Sequence, residues 1–153
     1  MKHYEETGVL MEKDLNLPSK AQLQKGVALT ECIQKIPCDP CVDSCPVHAI
    51  SMVDINAPPV VDYDTCIACG QCVAVCPGLA IFVVKHEGEH ALVMLPYEML
   101  PVPKKDDIVD ALDRSGSVVQ KVMVRKVVKR GKTHVITIET LKENAMSIRN
   151  IRV

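Results

Sequence analysis

Short runs of β-branched and aliphatic residues alternate with turn residues along this chain, and the pattern predicts mostly strands. VALTEC at 27–32 and PPVVDYDTC at 58–66 each predict a strand that leads into a cysteine-rich segment. IFVVKHEGEHALVML at 81–95 predicts a β-hairpin that turns at Glu87-Gly88. Residues 1–26 lack such runs and contain only turn residues and a weakly helical stretch ending at Gly26, so we interpret them as an N-terminal arm.

The C-terminal third repeats the strand pattern behind a proline-rich segment. PYEMLPVP at 96–103 contains three prolines and predicts a linker. Residues 104–153 contain three β-rich runs, separated by Ser115-Gly116 and Gly131-Lys132, and then a stretch at about 141–148 that predicts a short helix. The predicted organisation is an arm (1–26), a domain with a hairpin (27–95), a linker (96–103) and a basic, β-rich module (104–153), interpreted as a small antiparallel sheet or barrel.

Charge is distributed unevenly between these parts. Residues 1–114 carry nine basic and 17 acidic side chains, a net of −8, whereas residues 115–153 carry nine basic and two acidic, a net of +7. Much of the positive charge comes from one basic group, formed by Lys121, Arg125, Lys126, Lys129, Arg130 and Lys132. We expect this group to form a solvated strand face, and a docking surface for a partner is the second alternative. Aromatic residues make up only 3% of the chain, which disfavours stacking on nucleic-acid bases.

All eight cysteines lie between residues 32 and 76. The N-terminus mixes both charges without an apolar run, and no segment has the roughly 18 uncharged apolar residues of a membrane span. We therefore expect a cytoplasmic location, where disulfides are rare. A disulfide scaffold would also distribute its bridges over the whole chain, so the clustering favours a metal site, with zinc and iron–sulfur clusters as the alternatives.

The cysteine segment contains an internal repeat. CDPCVDSCPVHAI (38–50) aligns without a gap with CGQCVAVCPGLAI (69–81), 31 residues later. The second copy reads C-x2-C-x2-C-x3-C-P from Cys66. In the first copy Lys35 stands at the equivalent position and the thiol lies three residues earlier, at Cys32, which gives C-x5-C-x2-C-x3-C-P.

This repeat resembles the two-cluster [4Fe–4S] ferredoxins of bacterial type over about residues 32–82. The resemblance implies an α+β fold, with a ferredoxin-like domain built on a pseudo-two-fold repeat. In that family the fourth cysteine of each run ligates the other cluster. Carried over by position, the first cluster has the ligands Cys32, Cys38, Cys41 and Cys76, and the second has Cys66, Cys69, Cys72 and Cys45.

Two features of the first copy depart from the second. The x5 gap puts the role of Cys32 in question, and without it the first site would hold a three-iron or incomplete cluster. The first loop carries Asp39, Pro40 and Asp43, whereas the second is uncharged and has Gly70, which can adopt positive φ. More negative charge and fewer N–H donors predict a lower reduction potential for the first cluster.

No nucleophile paired with a base and no phosphate-binding loop is recognisable, so electron transfer is the expected function and no catalytic residue is predicted. More than 90 residues lie outside the repeat, which favours a fixed subunit over a free ferredoxin-type carrier. ECIQKIPCDPC and the basic tail ending SIRNIRV resemble, more weakly, the small iron–sulfur subunits of flavin-dependent amino-acid dehydrogenases. That resemblance implies flavoprotein partners carrying FAD; a zinc-stabilised interaction module is the third alternative.

Overall fold

The computed structural model describes residues 1–153, which form four short α-helices and nine β-strands. The helices are α1 (His3–Thr7), α2 (Lys20–Lys25), α3 (Pro40–Ser44) and α4 (Gln71–Val75), with single 3₁₀ turns at Glu12–Asp14 and Lys142–Asn144. The strands are β1 (Val27–Thr30), β2 (Ile50–Ser51), β3 (Val60–Val61), β4 (Ile81–Glu87), β5 (His90–Tyr97), β6 (Ile108–Asp113), β7 (Val118–Arg130), β8 (Thr133–Leu141) and β9 (Ile148–Arg152). The fold is of mixed α+β type. None of the helices is long and apolar enough to span a membrane.

Seven strands form one antiparallel sheet in the order β1-β4-β5-β8-β7-β6-β9, and β2 and β3 form a separate pair. Two hairpins turn at the predicted positions, β4–β5 at Gly88 and β7–β8 at Gly131. Both glycines have φ near +60°, which two-residue hairpin turns require and which costs glycine no steric strain. Turn chemistry and strand alternation together therefore predicted these hairpins correctly.

The core lies between the sheet and the cysteine segment. Val93, Leu95, Ile136 and Ile138 are fully buried on β5 and β8. On the other side, Cys41, Cys66 and Cys72 belong to the same continuous hydrophobic cluster. Helix α4 contacts β4, β5 and β8 directly, so the second cysteine loop rests on the sheet, and α3 of the first loop packs on α4.

The sheet continues through the proposed linker. Pro96 and Tyr97, its first two residues, end β5, and all eight residues of β5 pair with β8. Strand β9 also returns to contact β5, so the C-terminal strands curl around the core. The division into a 27–95 domain and a 104–153 module stays a prediction about folding units; in space the two parts share one sheet.

The helix predicted at about 141–148 is wrong. The chain makes a single 3₁₀ turn at Lys142–Asn144 and then enters β9, which pairs with β6. Ile148 and Ile151 are fully buried there. Burial of these two side chains and pairing with β6 therefore outweigh the helix-forming residues of the segment.

The N-terminal arm is attached beside the second cysteine loop. Ser19 begins α2 with a capping box, in which its hydroxyl accepts the Gln22 N–H. The Gln22 amide donates to the Asp64 carboxylate at 2.9 Å, and Lys25 Nζ donates to the Tyr63 carbonyl at 3.1 Å. These contacts hold the arm against the turn that precedes Cys66.

Candidate metal centres

The two cysteine loops share one local backbone geometry. Helices α3 and α4 have the same length and begin 31 residues apart, which is the period of the sequence repeat. After each helix, the same repeat position adopts a left-handed conformation, with φ of 53° at His48 and 52° at Leu79. The sequence repeat is therefore also a repeat of structure at the level of each loop.

Each loop orients its last cysteine with a backbone hydrogen bond. The Ala49 N–H donates to Cys45 Sγ at 3.2 Å, and the Ala80 N–H donates to Cys76 Sγ at 3.4 Å. Such N–H groups stabilise negative charge on sulfur, which is the form in which cysteine ligates a metal. The final cysteine of each copy is thus held in the same way.

Four of the cysteines surround one small cavity. Cys66, Cys69 and Cys72 of the second copy line it, and Cys45 of the first copy lines it too. The remaining lining is almost entirely aliphatic. The Ala28 and Ala68 N–H groups donate to Cys66 Sγ at 3.3 and 3.5 Å. The structure therefore brings together the four cysteines of the predicted second set.

The other four cysteines are electrostatic neighbours. Burial raises the pKa of the Cys32 thiol, and the nearby Cys76 and Cys38 thiols raise it further. Burial likewise raises the pKa of Cys41 to about 11, again with contributions from Cys76 and Cys38. Cys76 of the second copy thus lies near Cys32 and Cys41 of the first, and Cys32 belongs to this group despite its longer spacing.

The two sets of cysteines lie next to each other in the core. Burial raises the pKa of Cys72 to about 12, with contributions from Cys66 and Cys69 of its own set and also from Cys41 of the other. Helix α3, which contains Cys41, contacts helix α4, which contains Cys72. Cys41 and Cys72 are both buried, so the two sets approach each other away from solvent.

The donor set bears on which metal group fits. Four cysteine thiolates are the usual ligands of [4Fe–4S] clusters, and the N–H···S bonds described above are typical of their surroundings. No group of three or more His, Cys, Asp or Glu side chains converges closely enough to hold one metal ion. His86 and His90 lie on β4 and β5, on either side of the hairpin turn.

A buried ion-pair network beside Cys32 was missed by sequence reasoning. The Glu31 carboxylate accepts hydrogen bonds from Arg114 Nη2 at 2.6 Å and from Arg149 Nε at 2.7 Å. Arg149 also stacks over the Phe82 ring, with the guanidinium carbon 5.0 Å from its centroid. Burial opposes ionisation of Glu31, but the two arginines together outweigh it, so the pKa of this carboxyl is lowered. The only signal in the sequence was a charged residue directly before the first cysteine.

Comparison with known proteins places a recognised domain at this site. The family described as "4Fe-4S binding domain" matches residues 59–82, which contain the second cysteine run. Over 57 residues the chain is 37% identical to the "aliphatic sulfonate oxidoreductase, polyferredoxin-like subunit" of Pyrococcus furiosus, an alignment covering 37% of this chain and 33% of that protein. Over 44 residues it is 50% identical to an uncharacterised ferredoxin of Methanocaldococcus jannaschii, covering 29% of this chain and 28% of that protein.

The chain thus spans about a third of the length of the curated relatives it matches. No solved structure matches it. The family match covers the second cysteine run, and the matches agree on an iron–sulfur domain of ferredoxin type and on electron transfer.

Proposed function

We propose that this chain is an electron-transfer subunit that holds two [4Fe–4S] clusters. The first would be ligated by Cys32, Cys38, Cys41 and Cys76, and the second by Cys66, Cys69, Cys72 and Cys45. The observation that supports the proposal is that the final cysteine of each copy lies near cysteines of the other copy. Cys45 lines the cavity of the second set, and Cys76 lies beside Cys41 of the first.

The surroundings of the cysteines support a relay of electrons. Each cluster, when bound, would accept and release one electron. Cys41 and Cys72 bring the two sets together in the core, and Cys69 is the one exposed cysteine of the eight. Aliphatic side chains around the second set exclude water, and backbone N–H groups balance the charge of its sulfurs. The protein thus supplies a sheltered path that opens to solvent at one end.

The rest of the chain supports a role as a subunit of a larger oxidoreductase. A seven-stranded sheet lies largely outside the repeat and packs on the helix of the second loop, which is more structure than a small carrier requires. The matched protein of Pyrococcus furiosus is itself described as a subunit of an oxidoreductase. We propose catalytic partner subunits that carry a flavin, with an amino acid as the substrate class suggested by the sequence resemblance, and a cytoplasmic location for the complex. The alternative is a free carrier.

Metal content and ligand variants test the cluster proposal. Protein purified without oxygen should contain about eight iron and eight sulfide per chain, absorb broadly near 400 nm and bleach with dithionite. Cys45→Ser and Cys76→Ser should each change the EPR signal of one cluster, and the two variants should change different signals. His48→Asn is the matched control, because it alters an exposed residue of the same loop that already has a left-handed backbone. A colourless zinc protein, or loss of the same signal in both cysteine variants, would contradict the proposal.

Co-purification tests the subunit proposal. Anaerobic pull-down of the tagged chain from its native cells should recover a flavoprotein, identified by its flavin absorption and by mass spectrometry. Recovery of the brown chain alone, at every ionic strength tried, would favour the free carrier while leaving the cluster assignment intact.

A further inference from the structure

The basic group predicted in the C-terminal module divides into paired and unpaired side chains. Lys121 Nζ lies 2.9 Å from the Asp110 carboxylate, and Arg125 forms an ion pair with Glu139. The remaining four members have no carboxylate within ion-pair distance: Lys126, Lys129, Arg130 and Lys132. One third of the predicted basic group is therefore neutralised within the protein, and the other two thirds present uncompensated charge.

Two of the unpaired cations lie beside the second cysteine set. Side chains alternate between the two faces of a strand, so Lys126, Val128 and Arg130 share one face of β7. These three residues line a cleft that Cys69 and Gly70 also line. No Asp or Glu contributes to the cleft, so its local charge is positive although the chain as a whole carries −1.

The same cleft borders the exposed end of the candidate electron path. Cys41, Cys66 and Cys72 are buried and Cys32, Cys38, Cys45 and Cys76 are half-buried, whereas Cys69 is exposed. A partner seated in the cleft would therefore contact the cysteine set at its most accessible ligand. Opposite charges across such a contact steer association and select the orientation of the partner.

We propose that this cleft is the docking site for an acidic face of a one-electron carrier protein, with its carboxylates placed against Lys126 and Arg130. The inference rests on the proposed function, because it assigns the entry or exit point of the second cluster. In the step concerned, one electron passes between the cluster ligated by Cys69 and the redox group of the carrier; one is oxidised, the other is reduced, and no bond or proton changes place. Charge complementarity favours an acidic protein over a basic one.

The test compares two double charge reversals that change the net charge equally, one in the cleft and one on the N-terminal arm. Lys126→Glu/Arg130→Glu removes the positive cleft, and Lys13→Glu/Lys20→Glu makes the same change of net charge on the exposed arm. Reduced holoprotein is mixed in a stopped-flow instrument with an oxidised flavodoxin, chosen as an acidic carrier. Hexaammineruthenium(III), a trication, serves as the oppositely charged oxidant.

At low ionic strength, the cleft variant should react with flavodoxin roughly tenfold or more slowly than the wild-type protein, and the arm variant should change far less. The difference should disappear near 1 M salt, where the Debye length falls to about 3 Å. Oxidation by hexaammineruthenium(III) should instead be as fast or faster in the cleft variant. Equal slowing of both variants, or an unchanged rate in the cleft variant, would overturn the proposal.

Two further readouts separate other outcomes. Visible absorption of each variant reports its cluster content. If the clusters are present and the cleft charge has no effect on the rate, only the docking site is overturned. If the wild-type protein holds no clusters, the proposed function is overturned. Sedimentation at low salt reports self-association. Dimers that are lost only in Lys126→Glu/Arg130→Glu would assign the cleft to a second copy of this chain and overturn the carrier proposal.

Discussion

Glu31→Gln probes the buried ion-pair network that connects the first cysteine set to the C-terminal strands. Glu31 directly precedes Cys32, and its carboxylate is shared by Arg114 from the turn after β6 and by Arg149 from β9. The side chains of Glu31, Arg114 and Arg149 are only 7%, 10% and 4% exposed. Glutamine preserves the shape of the side chain but removes the charge, so the substitution leaves two buried guanidinium groups without their counter-ion.

The expected cost is large because breaking a buried pair leaves uncompensated charge in the core. Loss of one partner of such a pair destabilises proteins by about 3–5 kcal/mol. In a chain of this size each kcal/mol lowers the melting temperature by roughly 2–4 °C, so the apparent midpoint should fall by roughly 6–20 °C. The measurement follows cluster absorption during heating without oxygen, at one fixed scan rate because unfolding of such proteins is irreversible.

Asp110→Asn provides a matched control. Asp110 also binds two cations, Lys121 and Arg152, each at 2.9 Å, but their side chains are 73% and 63% exposed. Solvent screens such pairs, so the midpoint should fall much less than in Glu31→Gln. If the melting temperature falls no further in Glu31→Gln than in Asp110→Asn, burial does not make this network more important than an exposed one, and the reasoning is refuted.

The pH dependence of the Glu31→Gln effect follows from the direction of its pKa shift. The pKa of Glu31 is lowered in the folded protein, so its stabilising contribution is fully present above the unfolded value of about 4.3 and is lost only as pH falls through the lowered value. The difference between Glu31→Gln and the wild-type protein should therefore stay constant between pH 6 and pH 8. A difference that grew or shrank across that interval would indicate that another titrating group controls the network.

Two further predictions concern the second cysteine loop. Gly70→Ala should lower the melting temperature, because φ is +78° there and alanine costs about 1–2 kcal/mol in this conformation; its Cβ would also lie 2.9 Å from Met94 Sδ. Gly88→Ala has the same backbone strain in open space, so only Gly70→Ala should also alter the EPR spectrum. Asp39 and Asp43 place two carboxylates in the first loop, whereas the second loop has none, so the second cluster should be reduced first in an EPR-monitored titration; reduction of the first cluster at higher potential would contradict this.

The grouping of cysteines was predictable because the chemistry of a cluster constrains their spacing. Three thiols within seven residues and a fourth before proline leave few arrangements, and the exact repeat 31 residues later indicated two similar loops. Even Cys32, at an unusual spacing, lies beside Cys38 and Cys76. The chain between Cys32 and Cys38 bends at Gln34 and Pro37, which accommodates the three additional residues.

The sequence pattern did not predict which strands pair with each other when they lie far apart in the chain. Strands β5 and β8 were each recognisable from alternation, but nothing local indicates that they pair with each other across the proline-rich segment. The end of the chain shows the same limitation. LKENAM contains helix-forming residues, yet the following segment pairs with β6, because pairing there buries Ile148 and Ile151. Arg149 is also buried there, although a sequence pattern assigns arginine to solvent.

Two C-terminal strands supply charged side chains next to the two cysteine sets. Strand β9 supplies Arg149 to Glu31, next to Cys32 of the first set. Strand β7 supplies Lys126 and Arg130 to the cleft beside Cys69 of the second set. One strand therefore stabilises the chain beside the first set and the other sets the charge beside the second set, although both strands follow the last cysteine by more than 40 residues.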